Sequence, residues 1–594
     1  MRRRELLLGA AALGMTWPLG VCAAGSLDPA SKTAADAGAE DVLLAGLLDR
    51  HAQALRAEEG GLDRLADYSL AARARRRQAT LQRLAELRGI ERAALSATAA
   101  LDYDTARFVY EAMADQYGRY GFSDLNLRPS PYVVSQMNGA YFWLPDSIGG
   151  GSPMKDAADA DRYLDKLGQF AVALDQETEQ IRHDAGLGVG PPDFILAKTL
   201  RQIATLRDAA PTGNALTASA VARARDAGIA DVDRRASAIF VERIVPALRR
   251  QGEALAALQH QADDRAGVWA KPDGEAYYES ALHSNTTARH APGELHRLGL
   301  AWVAELSVEI DGLLRAQGLS RGSVGERMAA LDRDPRFLKP DTEVGRQQII
   351  DYASERLRRV KGLLPRGFHG TPDRPVEVQR ISTAIQDGAP GAFYSASSDP
   401  ARPSIIFLNL RSVAENALWR IPTLLHHEGI PGHHFQDSVL REAGGLSLFR
   451  RSVRFSAWTE GWALYAEQLA DEMGAFEGDP FGRIGYLQGQ LFRACRVVVD
   501  TGLHHARWTR QHAIDWMVAH AGEHRDAAER EIDRYCVYPG QACSFMVGKQ
   551  QILATREKTR QRLGARFDTR AYNDFILASG PLPMEVLDGA AALA

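Results

Sequence analysis

The sequence predicts a mainly α-helical protein carrying one small β-sheet. Three observations support this. Apolar residues recur at three- and four-residue spacing, with charged residues between them, in stretches such as RRRQATLQRLAELRGIERAALSATAALDY (75–103) and ASERLRRVKGLL (353–364). One region breaks that period: PVEVQRIS (375–382), GAFYSAS (391–397) and PSIIFLNL (403–410) are short β-rich runs separated by turn residues. The chain is also long enough, at 594 residues and 45% hydrophobic, to bury a large core.

The first 24 residues read as an export signal, with Arg2 to Arg4, an apolar stretch and small residues suited to cleavage after Ala24. The RRRELL start resembles a twin-arginine signal, the ordinary secretory route being the alternative, so the expected location is periplasmic or secreted. Cys22 raises lipid anchoring, but Val21 before it argues against such processing. Residues 25–40 are small, polar and aperiodic and read as a flexible leader. Residues 41–594 then form one helical domain whose chemistry is expected at about 375–550. Loops are expected at 148–154, 186–193 and 365–375. The glycines of SIGGGSPM lack the lysine and hydroxyl partner of a phosphate loop.

Composition excludes several classes. The 71 basic and 75 acidic residues leave a formal net charge of −4 with no basic run in the body, so no dedicated nucleic-acid surface is expected. No apolar run after the signal approaches the roughly 20 residues of a membrane span. Past the signal only Cys495, Cys536 and Cys543 remain, too few for a disulfide framework, with one Cys536–Cys543 bridge left open.

The chemistry is concentrated in HHEGIPGHHFQ (426–436), delivered by ENALWRIPTLLHHE (415–428), which reads as a helix. Zinc peptidases commonly take two histidines four apart on one helix, about 40° apart around its axis, with a glutamate beside the first as general base. Glu428 follows His427 as that logic requires, but the position four after His427 is Pro431. Gly429, Pro431 and Gly432 cannot sustain a regular coil. A looped-out turn that adds two residues would bring His433 to His427; a straighter path would bring His434. His433 is preferred, and His426 reads as a packing or supporting residue. FSAWTEGWALYAEQLADEMG (455–474) reads as a second helix that supplies the third ligand: Glu460, beside Gly461, with Glu467 bracing a ligand histidine from behind. The expected cofactor is one Zn2+ ion, with manganese or cobalt also suited to nitrogen and oxygen donors.

Four ordered motifs, HHEGIPGHH, TEGWALYAEQLADEMG, VVDTGLHHARWT and DRYCVYPGQACSFMVG, resemble the bacterial family called domain of unknown function 885, over nearly the whole mature chain. That family is grouped with the gluzincin metallopeptidases. The resemblance implies a large helical fold with a deep cleft, a zinc-dependent hydrolase, His427, His433 and Glu460 as ligands and Glu428 as base. It implies no substrate. Where the family often has a tyrosine after PGQA this chain has Phe545, so no hydroxyl acts there, while His504 of TGLHH is matched.

The expected function is an exported zinc metallopeptidase that cleaves short peptides in carboxypeptidase or oligopeptidase fashion, Glu428 moving the proton from water to the leaving amine. His504, Tyr535 and Tyr538 are the candidate oxyanion donors. Arg534, beside Tyr535, is expected to hold a substrate carboxylate, an internal ion pair being the alternative. The strand PSIIFLNL would offer its edge to an extended peptide unless it is buried in the sheet. Two other readings stay open: hydrolysis of a non-peptide amide or ester, and a non-catalytic binding protein that retains the metal.

Overall fold

The computed structural model describes residues 38–592 except 62, 123–127, 384–385, 387–390, 398 and 400–401. The export signal, Cys22 and most of the leader lie outside the described residues. Helix begins at Ala39, two residues inside the expected leader. Gly89 then separates the helices Leu70–Arg88 and Ala97–Arg119, each started by a serine, Ser69 or Ser96, whose side chain accepts a hydrogen bond from an otherwise unpaired backbone N–H of the first turn.

Apolar faces of these helices are buried in two main cores. The larger joins the N-terminal helices to those after residue 266, so the two ends of the chain share one interior. The second lies between residues 134 and 255, where α1 (Ala157–Gly186) packs along α2 (Val245–Leu258) around Tyr163, Phe170, Leu174 and Leu248. In the larger core α3 (Pro292–Ala316) lies along the later helix at Val497 and Val498, and the absent side chain of Gly299 sets their spacing.

The sheet falls where the period changes, as β1 (Val376–Arg380), β2 (Ala392–Ser395) and β3 (Ser404–Leu408). Its order is β1-β3-β2, with β1 parallel to β3 (Val376 opposite Ser404) and β2 antiparallel to it (Phe393 opposite Phe407). PSIIFLNL is therefore the central strand. Both of its sides are paired, which removes it as an edge for a peptide; among the described residues, the unpaired edge next to the histidine cluster belongs to β2.

The expected helix 415–428 is shorter than its pattern suggests. A single 3-10 turn, Val413–Glu415, precedes α4 (Ile421–Glu428), which starts with Pro422 in its first turn, where a missing N–H costs nothing. Then follow α5 (His433–Glu442), α6 (Ser456–Glu472), α7 (Pro480–His504), α8 (Arg525–Val537) and α9 (Ser544–Leu563). Helix α7 is capped by Asp479, whose carboxylate accepts from Gly482 N at 2.8 Å.

Candidate metal centre

The helix carrying the first histidines stops at Glu428 and a new one starts at His433. The link between them folds so tightly that a Cβ on Gly432 would stand 1.9 Å from the carbonyl oxygen of His427 and 2.3 Å from that of His426. Only glycine allows that approach. Its effect is to set the His433 ring against the His427 ring, centroids 4.8 Å apart and nearly perpendicular.

Glu460, from α6, completes the group. Its Oε2 lies 3.5 Å from His427 Nε2 and 3.4 Å from His433 Nε2, and one donor atom from each residue falls within 4.8 Å of the others. Bonds of about 2.0–2.1 Å in a tetrahedral arrangement place neighbouring ligand atoms about 3.3–3.4 Å apart, so the donor set and its spacing fit zinc. Gly461 acts as expected on helix approach, but toward a different neighbour: it meets Gly548 of α9, and a Cβ on either would lie 3 Å or less from the other's backbone.

Behind the ligands, His427 Nδ1 meets Glu467 Oε1 at 2.8 Å. The Glu467 carboxylate also accepts from Thr423 Oγ1 (3.1 Å) and Gln490 Nε2 (2.9 Å), and Gln490 Oε1 in turn accepts from the buried Lys549 at 2.6 Å. That carboxylate fixes the ring and its tautomer, leaving Nε2 for the ion. Burial alone would lower the His427 imidazole and raise the Glu460 carboxyl. Their mutual hydrogen bonding, with Glu467 adding to it at His427, outweighs burial in both, lifting His427 to about 9 and holding Glu460 well below the usual carboxylate range.

Glu428, half-buried at the end of α4, has one carboxylate oxygen held by Tyr394 N of β2 at 3.1 Å, and its other oxygen has no hydrogen bond among the described residues. The sheet thus has a direct part in the site: it points the expected base.

The sequence matches, over residues 51–590, the family described as "Bacterial protein of unknown function (DUF885)". The chain belongs to that family. Among solved structures, this DUF885 member is similar to a candidate lipoprotein from Colwellia psychrerythraea, at 30% identity over 93% of this chain and 99% of the other, with a TM-score of 0.87. It also shares its fold with a candidate lipoprotein of unknown function from Shewanella oneidensis, at 17% identity over 94% of this chain and 100% of the other, with a TM-score of 0.63. No curated protein matches it.

Other expected residues fall elsewhere in the DUF885 fold. His434 turns away from the group, its Nε2 at 3.1 Å from Arg374 O and its Nδ1 at 3.4 Å from the Tyr394 hydroxyl. His426 is buried against Phe476 with Nδ1 near Ile430 O, and burial pushes it down to about 4. His504 is a core residue: Nδ1 accepts from Val268 N and Nε2 donates to Tyr535 O, both at 3.0 Å, with the ring stacked on Tyr278. With both ring nitrogens committed to backbone, it has none to offer an oxyanion, and burial pushes its pKa down to about 4.

Tyr538 donates to Met137 O at 2.9 Å and Tyr535 to Glu531 at 2.8 Å, so neither hydroxyl hydrogen is directed at the metal group. Arg534 takes the alternative reading, an ion pair with Glu531 at 2.8 Å. Phe545 lies parallel to the His427 ring at 6.1 Å. All three described cysteines are free and buried; Cys543 faces Asp500, not Cys536. Cavities of about 120 Å3 beside Tyr163 and about 440 Å3 beside Arg556 touch none of the expected site residues.

Proposed function

We propose that this DUF885 protein is an exported, zinc-dependent metallopeptidase that hydrolyses short peptides. The observation that carries the reading is the convergence of His427, His433 and Glu460 with an oriented glutamate, Glu428, directly following the first ligand. Export is supported by the N-terminal signal and by the Colwellia relative's description as a candidate lipoprotein. No helix among the described residues is long and apolar enough to cross a membrane.

When bound, zinc would lower the pKa of a coordinated water toward about 7 and polarise the scissile carbonyl. Glu428 would act as the base, taking a proton from the attacking water as its oxygen bonds to the carbonyl carbon and returning that proton to the leaving amine as the C–N bond breaks. Tyr394 N–H keeps one Glu428 oxygen fixed while the other handles the proton. Glu467 holds the His427 ring throughout.

The free edge of β2 supports a peptide substrate. Gly391 O accepts from Asn409 N on the β3 side, so by the alternation of an antiparallel pair Ala392 and Tyr394 direct their backbone groups outward. Tyr394 N is used by Glu428; the remaining groups of that edge can align an extended chain beside the base.

The test is metal analysis of the mature protein, coupled to digestion of a peptide library read by product mass, alongside Glu428→Gln. Expected are about one zinc per chain in both proteins, cleavage by the wild type, and a loss of about 100-fold or more in the variant. Equal turnover by the variant, or a library left intact by zinc-loaded wild type, would overturn the reading.

A further inference from the structure

Positive charge collects beside the metal group in a way the mechanism above does not use. Arg493 and Arg496 project from α7 onto Phe545, the ring that lies parallel to His427. Their guanidinium carbons are 5.9 Å and 3.9 Å from its centroid. Arg496 Cζ is therefore no further than about 10 Å from the His427 ring, the sum of the two centroid separations.

Arg496 is only 3% exposed, yet its side chain makes a single long hydrogen bond, Nη2 to Gln541 Oε1 at 3.4 Å, and its buried Nε has no partner. Among the described residues Arg493 donates only to Gly489 O of its own helix, also at 3.4 Å, and its Nε is likewise buried without a hydrogen-bond partner. Among the described residues no carboxylate stands within ion-pair distance of either. Arg534 differs, being paired with Glu531. Burial lowers the Arg496 guanidinium and its neighbours Arg534 and Arg493 add to that, while Tyr535 and the Glu531 carboxylate oppose it in part. Three guanidiniums, Arg493, Arg496 and Arg534, thus share the field of one buried carboxylate, Glu531, which is in ion-pair contact with Arg534 alone; positive charge in such excess inside a fold is costly, and an anion that arrives with a ligand would balance it.

We propose that Arg493 and Arg496 form the subsite for the C-terminal carboxylate of the substrate, so that the enzyme removes one or two residues from peptide C-termini. This rests on the hydrolase reading above. An extended chain advances at most about 3.3–3.6 Å per residue, so a carboxylate held by these arginines lies one or two residues beyond a carbonyl at the metal group. Two guanidiniums with unused donors suit a carboxylate through paired N–H···O contacts.

The experiment is equilibrium dialysis of the zinc-loaded, full-length Glu428→Gln protein against N-acetylated tripeptide libraries ending in a free acid or in an amide, read by mass. Expected is retention of the acids over the amides by about tenfold or more. Arg493→Gln and Arg496→Gln should each bring that ratio to within about twofold with zinc content unchanged, while Arg496→Lys keeps most of the preference. Arg493 is the more exposed of the two, so its variant serves if Arg496→Gln does not fold. Equal retention of acids and amides, no retention of either, or a preference that survives both glutamine variants would overturn the proposal. So would displacement of the acids by inorganic phosphate far more strongly than by acetate. Failure of the hydrolase reading shows separately, as wild type that binds zinc and leaves the acids uncut.

Discussion

Replacing Gly432 by alanine should dismantle the metal centre without touching a ligand. A Cβ there would sit 1.9 Å from His427 O, 2.3 Å from His426 O and 2.6 Å from His427 C. Non-bonded contacts of this kind do not fall below 3.0 Å. The end of α4 and the start of α5 must therefore part by about 1 Å, some five times the ±0.2 Å that metal–ligand distances tolerate. His433 follows the substituted residue and His427 owns the nearest clashing atom, so the displacement falls directly between two ligands. Forcing a methyl group into packed backbone costs about 1–3 kcal/mol, small enough for a large helical protein to stay folded. Zinc affinity should drop by about 100-fold or more, beyond the loss seen when only an outer partner is removed. Competition with a chromophoric chelator measures the affinity, and far-ultraviolet circular dichroism confirms the helices. A folded variant that binds zinc within about threefold of wild type would refute the argument that this turn sets the histidine spacing.

Other expectations follow from the same geometry. Glu467→Gln should weaken zinc by about 10- to 100-fold with unchanged helix content, because His427 loses its charged brace; unchanged affinity would show that Glu467 serves packing alone. His427 is raised from 6.5 to about 9 without metal, so zinc must displace a proton: affinity should climb about tenfold per unit from about pH 7 to 9 and level off above, which titrations at several pH values will read. The sign for the metal-free fold is the reverse. Its stability from this group is complete below pH 6.5 and is lost as pH rises through 9, so metal-free melting temperatures should fall across that window. A protein beginning after Ala24 and denatured without reductant should titrate three thiols, and reductant should leave its melting temperature unchanged; one thiol would reveal a bridge.

What the sequence disclosed and what it withheld divide along physical lines. Helix periodicity, the small sheet and the approach of Glu460 to His427 depend on local spacing and on one sequence-near return, and these were legible. The choice between His433 and His434 could be reasoned only as far as a broken coil, since the answer lies in the backbone path through Gly429–Gly432. Strand order was not legible, because the central place of β3 depends on long-range pairing, and with it went the part played by Tyr394 N–H in aiming Glu428. His504 was a candidate donor because the family motif TGLHH is matched there, but two backbone partners from residues 268 and 535 claim it. Arg493 and Arg496 belong to no motif and were not singled out from the sequence; only the packing of Phe545 against both α7 and His427 brings them to the site. Cys536 and Cys543 are near in sequence, yet both thiols stay free and Cys543 meets Asp500.

The contact between Gly461 and Gly548 bears on how such a pocket can breathe. With no side chains between them, the two backbones touch, and there is no lubricating layer over which one rod might slide past the other. Glu460 is thus anchored to a stiff double rod. On the proposed reading, a gap that admits a peptide would form on the opposite bank, at the short helix ending in Glu428 and the strand that steadies it, and entry of a substrate and aiming of that carboxylate would become one motion.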